Sequence, residues 1–310
     1  MISCTEFIPA YSELFTYLEE HYGRDEVDRF WKYLFEPTGD GIPLINFVKK
    51  EGIRGCFTYW SGTLTEEASD CTIYLNEKAG WFMNVMYKCP SKGRLLKLKD
   101  EIGITPYHDY CLHCDSYRAA IEEVGLKYLY DFRGVDQAAC TLLIYDPKVF
   151  DGRVIIDENT EKLEVRASEN EYFHRDFHSS MNMGIHYLGE NYGLAVAKDY
   201  LKRYTEDVYK KEIADIAMRG VDAIADKIRD TYEKEKASDA VELIRDGAKL
   251  TVKVKYCPAV KHLKATGRIV SPWYRYTTET VMETLAEKAG AAFTMESYDE
   301  ETGAARYSFA

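Results

Sequence analysis

Residues Tyr17-Leu18-Glu19-Glu20-His21-Tyr22-Gly23 recur 170 positions later as Tyr187-Leu188-Gly189-Glu190-Asn191-Tyr192-Gly193. Two further matches follow in the same order, one 168 and one 165 positions apart. They pair Met86-Tyr87-Lys88-Cys89-Pro90 with Val254-Lys255-Tyr256-Cys257-Pro258, and Ile121-Glu122-Glu123-Val124-Gly125 with Ala286-Glu287-Lys288-Ala289-Gly290. Because the order is kept and the spacing drifts by only a few residues, we predict that one ancestral domain was duplicated.

The length of the chain agrees with a duplication. Its 310 residues suit two domains of about 150 residues, each large enough to bury a core. We therefore place an N-terminal diverged repeat at 1–150 and a C-terminal repeat at 151–310.

Composition and charge limit the classes of partner that we expect for this chain. The net charge of −12 disfavours nucleic acid, since an acidic chain repels phosphate backbones. The sequence has no apolar run of about 18 residues, which predicts no membrane span, and its start lacks the pattern of a signal peptide. Eight cysteines without a secretory signal are typical of reduced thiols, so we expect a cytoplasmic protein.

The periodicity of apolar residues gives the same order of elements in each half. In the first half we predict a helix over Tyr11–Leu34, strands at Cys56–Tyr59, Cys71–Leu75 and Trp81–Tyr87, a helix at His113–Val124, and a strand at Thr141–Tyr145. Between the halves we predict a hairpin of Val154–Ile156 with Leu163–Val165. In the second half we predict helices Glu171–Tyr204 and Lys211–Lys236, a hairpin of Val241–Ile244 with Leu250–Tyr256, a helix Thr278–Ala289, and a strand Ala305–Phe309. The sequence thus predicts an α+β fold, a tandem duplication of a helix-helix-hairpin-helix-strand domain with antiparallel sheets.

The second half, about Glu171–Ala310, resembles the L-2-amino-thiazoline-4-carboxylic acid hydrolase-like family. The resemblance is carried by Phe173-His174-Arg175-Asp176-Phe177-His178, Tyr187-Leu188, Tyr192-Gly193, Cys257-Pro258-Ala259-Val260 and Asp299 through Gly303. More remotely, the chain is similar to 4-vinyl-reductase-like and TRAPP-type trafficking domains, which share an α+β order. The first half matches only through its likeness to the second. Since fold does not fix function, the resemblance implies the hydrolase reaction only as an expectation.

The candidate catalytic residues form a stripe in the second half. His174, His178, Asn182 and His186 follow one another at spacings of four, which places them on one face of a helix. A pair of histidines at this spacing can hold a metal, or one ring can act as a base while the other orients it. The alternative is a structural role, in which these residues form a polar stripe at a domain interface. Positions 174 and 178 map onto Cys4 and Ile8 in the first half, so the shared fold does not require histidine there.

Two cysteine features add candidates. Cys111 and Cys114 form a Cys-x-x-Cys motif, and the relatives with zinc-binding cysteines near these elements imply that Cys89 and Cys140 join them in a closed zinc site. Redox chemistry and simple burial are the other interpretations of the motif.

Cys257 precedes Pro258 at a strand end, where a thiolate near His178 or His174 would be a nucleophile. The alternative is that Cys-Pro is simply a duplicated turn, since both copies keep it.

Two function classes therefore remain. The first is a small-molecule hydrolase that opens a C–N or C–S bond of a small amino- or carboxylate-bearing ring, with Trp273, Arg275 and Tyr276 walling the substrate pocket. The second is a binding or sensing module for a small molecule or a metal cofactor, without catalysis. A divalent metal such as zinc is the candidate cofactor, and a homodimer is among the partners to be tested. Histidines that face a cavity would favour the enzyme, whereas an apolar pocket away from all histidines would favour the binder.

Overall fold

The computed structural model describes residues 1–35 and 43–310, and it has the expected α+β fold. Two compact units are present. Unit 1 comprises Met1–Glu20, Lys99–Thr105 and Arg175–Ala310, and unit 2 comprises His21–Leu98 and Pro106–His174. The units are therefore not the two consecutive halves 1–150 and 151–310. The first helix explains part of the difference, because its Phe7 ring stacks on Phe177 with centroids 4.7 Å apart and its Ala10 carbonyl accepts a hydrogen bond from Tyr200.

Six helices and five strands are described up to residue 174. The helices are α1 (Phe7–Tyr22), α2 (Arg24–Phe35), α3 (Leu44–Glu51), α4 (Arg54–Glu66), α5 (Pro90–Ile102) and α6 (Tyr117–Glu123). The strands are β1 (Asp70–Asn76), β2 (Trp81–Lys88), β3 (Lys127–Asp131), β4 (Cys140–Tyr145) and β5 (Glu161–Val165). They form one antiparallel sheet in the order β3-β4-β2-β1-β5. Helix α4 covers this sheet, where Trp60 stacks on Phe82 with ring centroids 5.4 Å apart.

Six further helices and a second sheet complete unit 1. The helices are α7 (Phe177–Tyr192), α8 (Leu194–Val208), α9 (Lys210–Arg219), α10 (Val221–Lys234), α11 (Pro258–Ala265) and α12 (Tyr276–Lys288). The strands are β6 (Val241–Asp246), β7 (Lys249–Val254), β8 (Phe293–Tyr298) and β9 (Ala305–Phe309), all antiparallel in the order β6-β7-β9-β8. None of the helices described in either unit has the length and apolar character that crossing a membrane requires.

Four of the five strands in the sheet of unit 2 have the same topology as the four-stranded sheet of unit 1. In unit 2 the order β3-β4-β2-β1 corresponds, strand for strand along the chain, to β8-β9-β7-β6 in unit 1. The helices after the two hairpins begin at Pro90 and Pro258, each directly after a cysteine. Helices α1 and α7 end before Gly23 and Gly193, which have φ angles of 88° and 86°. This agreement supports the duplication, which stays a hypothesis.

Two of the predicted strand assignments are wrong. Cys56–Tyr59 lies inside helix α4, where Cys56, Tyr59, Trp60 and Leu64 are buried at a helical period rather than at the alternation of a strand. Val154–Ile156 forms no strand, and Leu163 pairs instead with Ile73 of β1. Strand β5 therefore extends the sheet of unit 2 instead of making a separate hairpin.

The long helices predicted from periodicity are each interrupted by a glycine. The breaks fall at Gly23, Gly193 and Gly220, where φ is positive. L side chains rarely adopt this conformation, so a glycine lets the chain end one helix and start the next in a new direction. Apolar periodicity continued across these breaks and hid them.

Candidate functional site

His178 lies on the inner face of helix α7 and is only 2% exposed. Its Nε2 is 3.0 Å from Oε2 of Glu235, which follows the last residue of α10. The hydroxyl of Tyr274, in the turn before α12, lies 3.4 Å from Nδ1. Both ring nitrogens therefore face polar groups of the protein interior.

Cys4 completes a buried cluster around this pair. The amide N–H of Cys4, in the short 3-10 helix Cys4–Glu6, donates a 2.6 Å hydrogen bond to Oε1 of Glu235. The ligand atoms of Cys4, His178 and Glu235 all lie within 4.8 Å of one another, and no other set of three among the described residues does so. We call these three residues the buried polar cluster.

The surroundings of the Glu235 carboxylate and the Cys4 thiol determine which of these two groups is ionised. Burial acts to raise the pKa of Glu235, but the adjacent His178 ring and the Cys4 amide outweigh it and the pKa is lowered. Burial and the Glu235 charge raise the pKa of the Cys4 thiol. The cluster thus holds an ionised carboxylate beside a protonated thiol.

The predicted nucleophile Cys257 is buried as well. Its thiol lies 3.3 Å from the sulfur of Met1, and burial raises its pKa. A nucleophilic cysteine needs a lowered pKa and an accessible sulfur. Neither Cys257 nor Cys4 meets these conditions in the structure.

The other members of the predicted histidine stripe have separate surroundings. Helix α7 begins at Phe177, so His174 lies before it and the two histidines are not an i, i+4 pair on one helix. The Nδ1 atom of His174 is 2.7 Å from a carboxylate oxygen of Glu66, within unit 2. Asn182 donates to the carbonyl of Ile269 and accepts from the amide of Ser271, at 3.0 and 2.8 Å. The side-chain amide of Asn182 therefore holds the loop from Ile269 to Ser271 against α7.

The residues predicted to wall a substrate pocket lie close to α7 and α12. Trp273 packs on Gly189 of α7 and lies tilted against the His186 ring, with centroids 5.4 Å apart. Arg275 borders a cavity of about 300 Å³ and donates to Glu279 at 2.8 Å. The Tyr276 ring lies 4.9 Å from Nζ of Lys198. Their role in substrate binding stays a prediction.

The four cysteines of the predicted zinc site are neighbours in unit 2. Burial raises the pKa of Cys111 to about 12 and that of Cys140 to about 11, and the nearby Cys114 thiol contributes in the same direction. Cys89 interacts with the other three. In the described geometry, however, no three of these sulfur atoms lie within 4.8 Å of one another. The zinc site stays a prediction that requires the sulfurs to move together.

A cavity of about 810 Å³ lies elsewhere in unit 2. Helix α2 lines it with Arg24, Asp28, Trp31 and Phe35, whose spacings of four, three and four form one stripe along the helix. Helices α3 and α6 and the 3-10 helix Tyr110–Ser116 supply the other walls. The cavity contains none of the predicted catalytic or metal-binding residues among its described lining.

The lining of this cavity combines flat apolar surfaces with charged pairs. The larger apolar side chains are Trp31, Phe35, Ile45, Leu112, Tyr117 and Phe132. The charged pairs are Arg24 with Asp28 at 2.8 Å, Lys49 with Glu123 at 2.8 Å, and Arg118 with Asp115 at 2.6 Å. Lys32 also borders the cavity, so the described lining carries four cations and three acids.

Specific contacts fix the walls. The rings of Phe35 and Tyr117 meet edge to face with centroids 4.8 Å apart, which joins α2 to α6. Tyr128 on β3 donates its hydroxyl proton to the Cys114 carbonyl at 2.7 Å, and Arg118 donates to the Tyr128 carbonyl at 2.5 Å. These bonds tie α6 and the preceding 3-10 helix to the sheet. The cavity is therefore built from anchored elements.

Sequence reasoning missed this cavity. The stripe on α2 has two charged residues followed by two aromatic ones, and charged residues are also typical of a helix face turned to solvent. The available signal was the pair Trp31 and Phe35 one turn apart, aligned with Arg24 and Asp28 on the same face. Recognising a cavity there also requires the positions of α3 and α6 relative to α2, and the sequence pattern of α2 does not contain them.

The chain matches no family model, no curated protein and no solved structure. Two features of the molecule bear on its function. One is the buried polar cluster of unit 1, and the other is the cavity of unit 2.

Proposed function

We propose that this protein is a small-molecule-binding module whose binding site is the cavity of unit 2. The observation that carries the proposal is the volume and lining of that cavity. About 810 Å³ lies within the range of roughly 300–1,000 Å³ that is typical of ligand sites. Such sites are mostly apolar with a few polar groups that orient the ligand, and the aromatic walls and charged pairs here fit this description.

The lining favours a ring-bearing monocarboxylate as the ligand. Trp31, Phe35 and Tyr117 offer flat surfaces against which a ring can stack. Guanidinium groups pair with carboxylates through two parallel hydrogen bonds, and Arg24 of α2 offers such a group to the cavity.

The hydrolase expectation has less support from the site. His178, its predicted base, is 2% exposed and engaged with Glu235 and Tyr274. The thiols of Cys4 and Cys257 have raised pKa values, which opposes nucleophilic attack. The lining of the cavities of about 810 and 300 Å³ includes none of His174, His178 and His186.

Calorimetric titration with matched ligands tests the proposal. We expect 2-naphthoate or indole-3-acetate to bind, and the corresponding neutral amides to bind more weakly. Ala120→Trp, which fills the cavity from α6, should weaken binding by at least about tenfold, equivalent to about 1.4 kcal/mol. Ala214→Trp, on an exposed position of α9, is the matched control and should bind as the unsubstituted protein does. Equal binding to both tryptophan variants, or a preference for the amides, would overturn the proposal.

A further inference from the structure

We propose that the buried polar cluster of unit 1 is a divalent-metal site of the zinc type. Its ligands are the Cys4 sulfur, Nε2 of His178 and a carboxylate oxygen of Glu235. None of these residues lines the cavity of unit 2, and the site does not depend on the proposed ligand-binding function.

The distances already approach those of a coordinated ion. Zinc binds histidine nitrogen at about 2.0–2.1 Å and carboxylate oxygen at about 2.0–2.2 Å, so two such ligands on a tetrahedral ion are about 3.3 Å apart. Nε2 of His178 and Oε2 of Glu235 are 3.0 Å apart. The Cys4 sulfur lies within 4.8 Å of a ring nitrogen of His178 and of a carboxylate oxygen of Glu235. Since zinc–sulfur bonds are about 2.3 Å long, the sulfur has to approach these ligand atoms by little more than about 1 Å.

The groups around the ligands fit the same interpretation. A metal-bound histidine usually directs its other ring nitrogen to a hydrogen-bond partner that fixes the ring. Nδ1 of His178 faces the Tyr274 hydroxyl at 3.4 Å. A bound carboxylate is commonly held in the same way, and Oε1 of Glu235 accepts the Cys4 amide proton at 2.6 Å.

The donor set selects the class of metal. One thiolate, one imidazole and one carboxylate suit zinc or cobalt, whereas calcium and magnesium prefer oxygen ligands alone. On binding, the Cys4 thiol releases its proton to solvent and forms a sulfur–metal bond. Nε2 of His178 gives up its hydrogen bond to Glu235 and binds the metal through its lone pair. The proton of that hydrogen bond passes to Nδ1, which faces the Tyr274 hydroxyl, or to solvent. No redox partner is needed.

The three ligands come from distant parts of the chain. Cys4 belongs to the N-terminal 3-10 helix, His178 to α7, and Glu235 follows α10. A bound metal would therefore crosslink three elements of unit 1 and stabilise its folded state, since metal that binds only the folded chain adds its binding free energy to stability.

The test removes the competing cysteines of unit 2 first. Protein carrying Cys111→Ser and Cys114→Ser is purified with a chelator, freed of it, and titrated with cobalt(II) and with zinc(II). We expect one equivalent of cobalt with a thiolate-to-cobalt charge-transfer band, and a rise in the unfolding midpoint. X-ray absorption of the zinc form should show one sulfur at about 2.3 Å and otherwise nitrogen or oxygen.

Two variants in that background complete the experiment. Cys4→Ser should remove the sulfur shell and weaken metal binding by more than about 100-fold, since loss of a group that only orients a ligand already costs about 10- to 100-fold. Cys71→Ser changes another buried cysteine and should leave binding intact. If Cys4→Ser does not fold, the number of sulfur ligands that X-ray absorption finds in the zinc form of the background protein still tests the proposal. Absence of bound metal, a zinc shell without sulfur, or unchanged binding in Cys4→Ser would overturn the proposal.

Discussion

At the scale of single residues, His178 shows how burial limits the chemistry of a side chain. Its ring is enclosed with Glu235, whose carboxylate is ionised because the ring and the Cys4 amide offset the cost of burial. A buried ion pair or charged hydrogen bond contributes little net stability, but removing one partner leaves a charge buried without compensation. The prediction for His178 is therefore structural.

His178→Ala should lower the free energy of unfolding of metal-free protein by about 3–5 kcal/mol, the usual cost of breaking a buried pair. Urea denaturation in the presence of a chelator measures it. His186→Ala is the matched control on the same helix. His186 has a ring contact with Trp273, and its described contacts include no charged group that the substitution would leave buried without a partner. A His178→Ala protein as stable as the control would contradict the assignment.

The sequence indicated only part of the buried polar cluster. The histidine stripe included His178, which is buried on helix α7. Its partners Cys4 and Glu235 are separated from it by 174 and 57 positions, and no local pattern relates them. Only the packing of the N-terminal segment and of α10 within unit 1 brings these atoms together.

At the scale of elements, helix α7 depends on a close approach at Gly189. A Cβ atom at this position would lie 2.3 Å from the Trp273 ring, nearer than any real contact. Gly189→Ala should therefore destabilise the protein by about 1–3 kcal/mol, as overpacking usually does.

Gly62→Ala on helix α4 is the opposite control for Gly189→Ala. A Cβ at Gly62 meets no atom within 4 Å, so alanine should stabilise the protein by about 0.5–1 kcal/mol through helix propensity. Thermal or urea unfolding of the two variants checks the pair. Stabilisation by Gly189→Ala would show that Trp273 does not pack on α7 as described.

The 3-10 helix Cys4–Glu6 is tied to α10 by a buried charge pair. Glu6 accepts hydrogen bonds from Lys227 at 2.6 Å and from the Tyr209 hydroxyl at 2.7 Å, and Lys234 lies 3.6 Å away. Burial acts to raise the pKa of Glu6, but these lysines lower it from 4.5 to about 2. The folded state thus binds this proton less readily than the unfolded chain.

The stabilisation from Glu6 should therefore be complete above about pH 4.5 and should be lost as the pH falls toward 2. The measurement is the difference in unfolding free energy between the unsubstituted protein and Glu6→Gln, followed from pH 7 to pH 3 in chelator. We expect the difference to shrink below pH 4.5. A difference that is constant over this range would contradict the lowered pKa.

Element identity was predictable where period and turn chemistry agreed. The hairpin of β6 and β7, with its Asp246-Gly247 turn, and helix α12 lie close to their predicted positions. Cys56–Tyr59 was mistaken for a strand because a short run of cysteine, threonine and aromatic residues has strand propensity. Burial on one face of the longer helix α4 overrides that local preference.

At the scale of the whole molecule, the repeated topology and the division into compact units follow different boundaries. Four of the five strands in the sheet of unit 2 have the same order as the four strands of unit 1, and the recurring segments lie in corresponding elements. Residues Met1–Glu20 nevertheless belong with Arg175–Ala310 in unit 1. Sequence repeats report ancestry of segments, whereas the compact unit depends on which apolar faces meet, and the partners of α1, such as Phe177 and Tyr200, come from the second half.

The central claim is that the cavity of unit 2 binds a small ring-bearing acid. The most direct measurement is a crystal structure of the protein with the tightest-binding acid among those titrated. We predict that the ring lies against Trp31, Phe35 and Tyr117, with its carboxylate toward Arg24. Ligand density in unit 1, or a cavity without the acid at concentrations that saturate binding in solution, would contradict it.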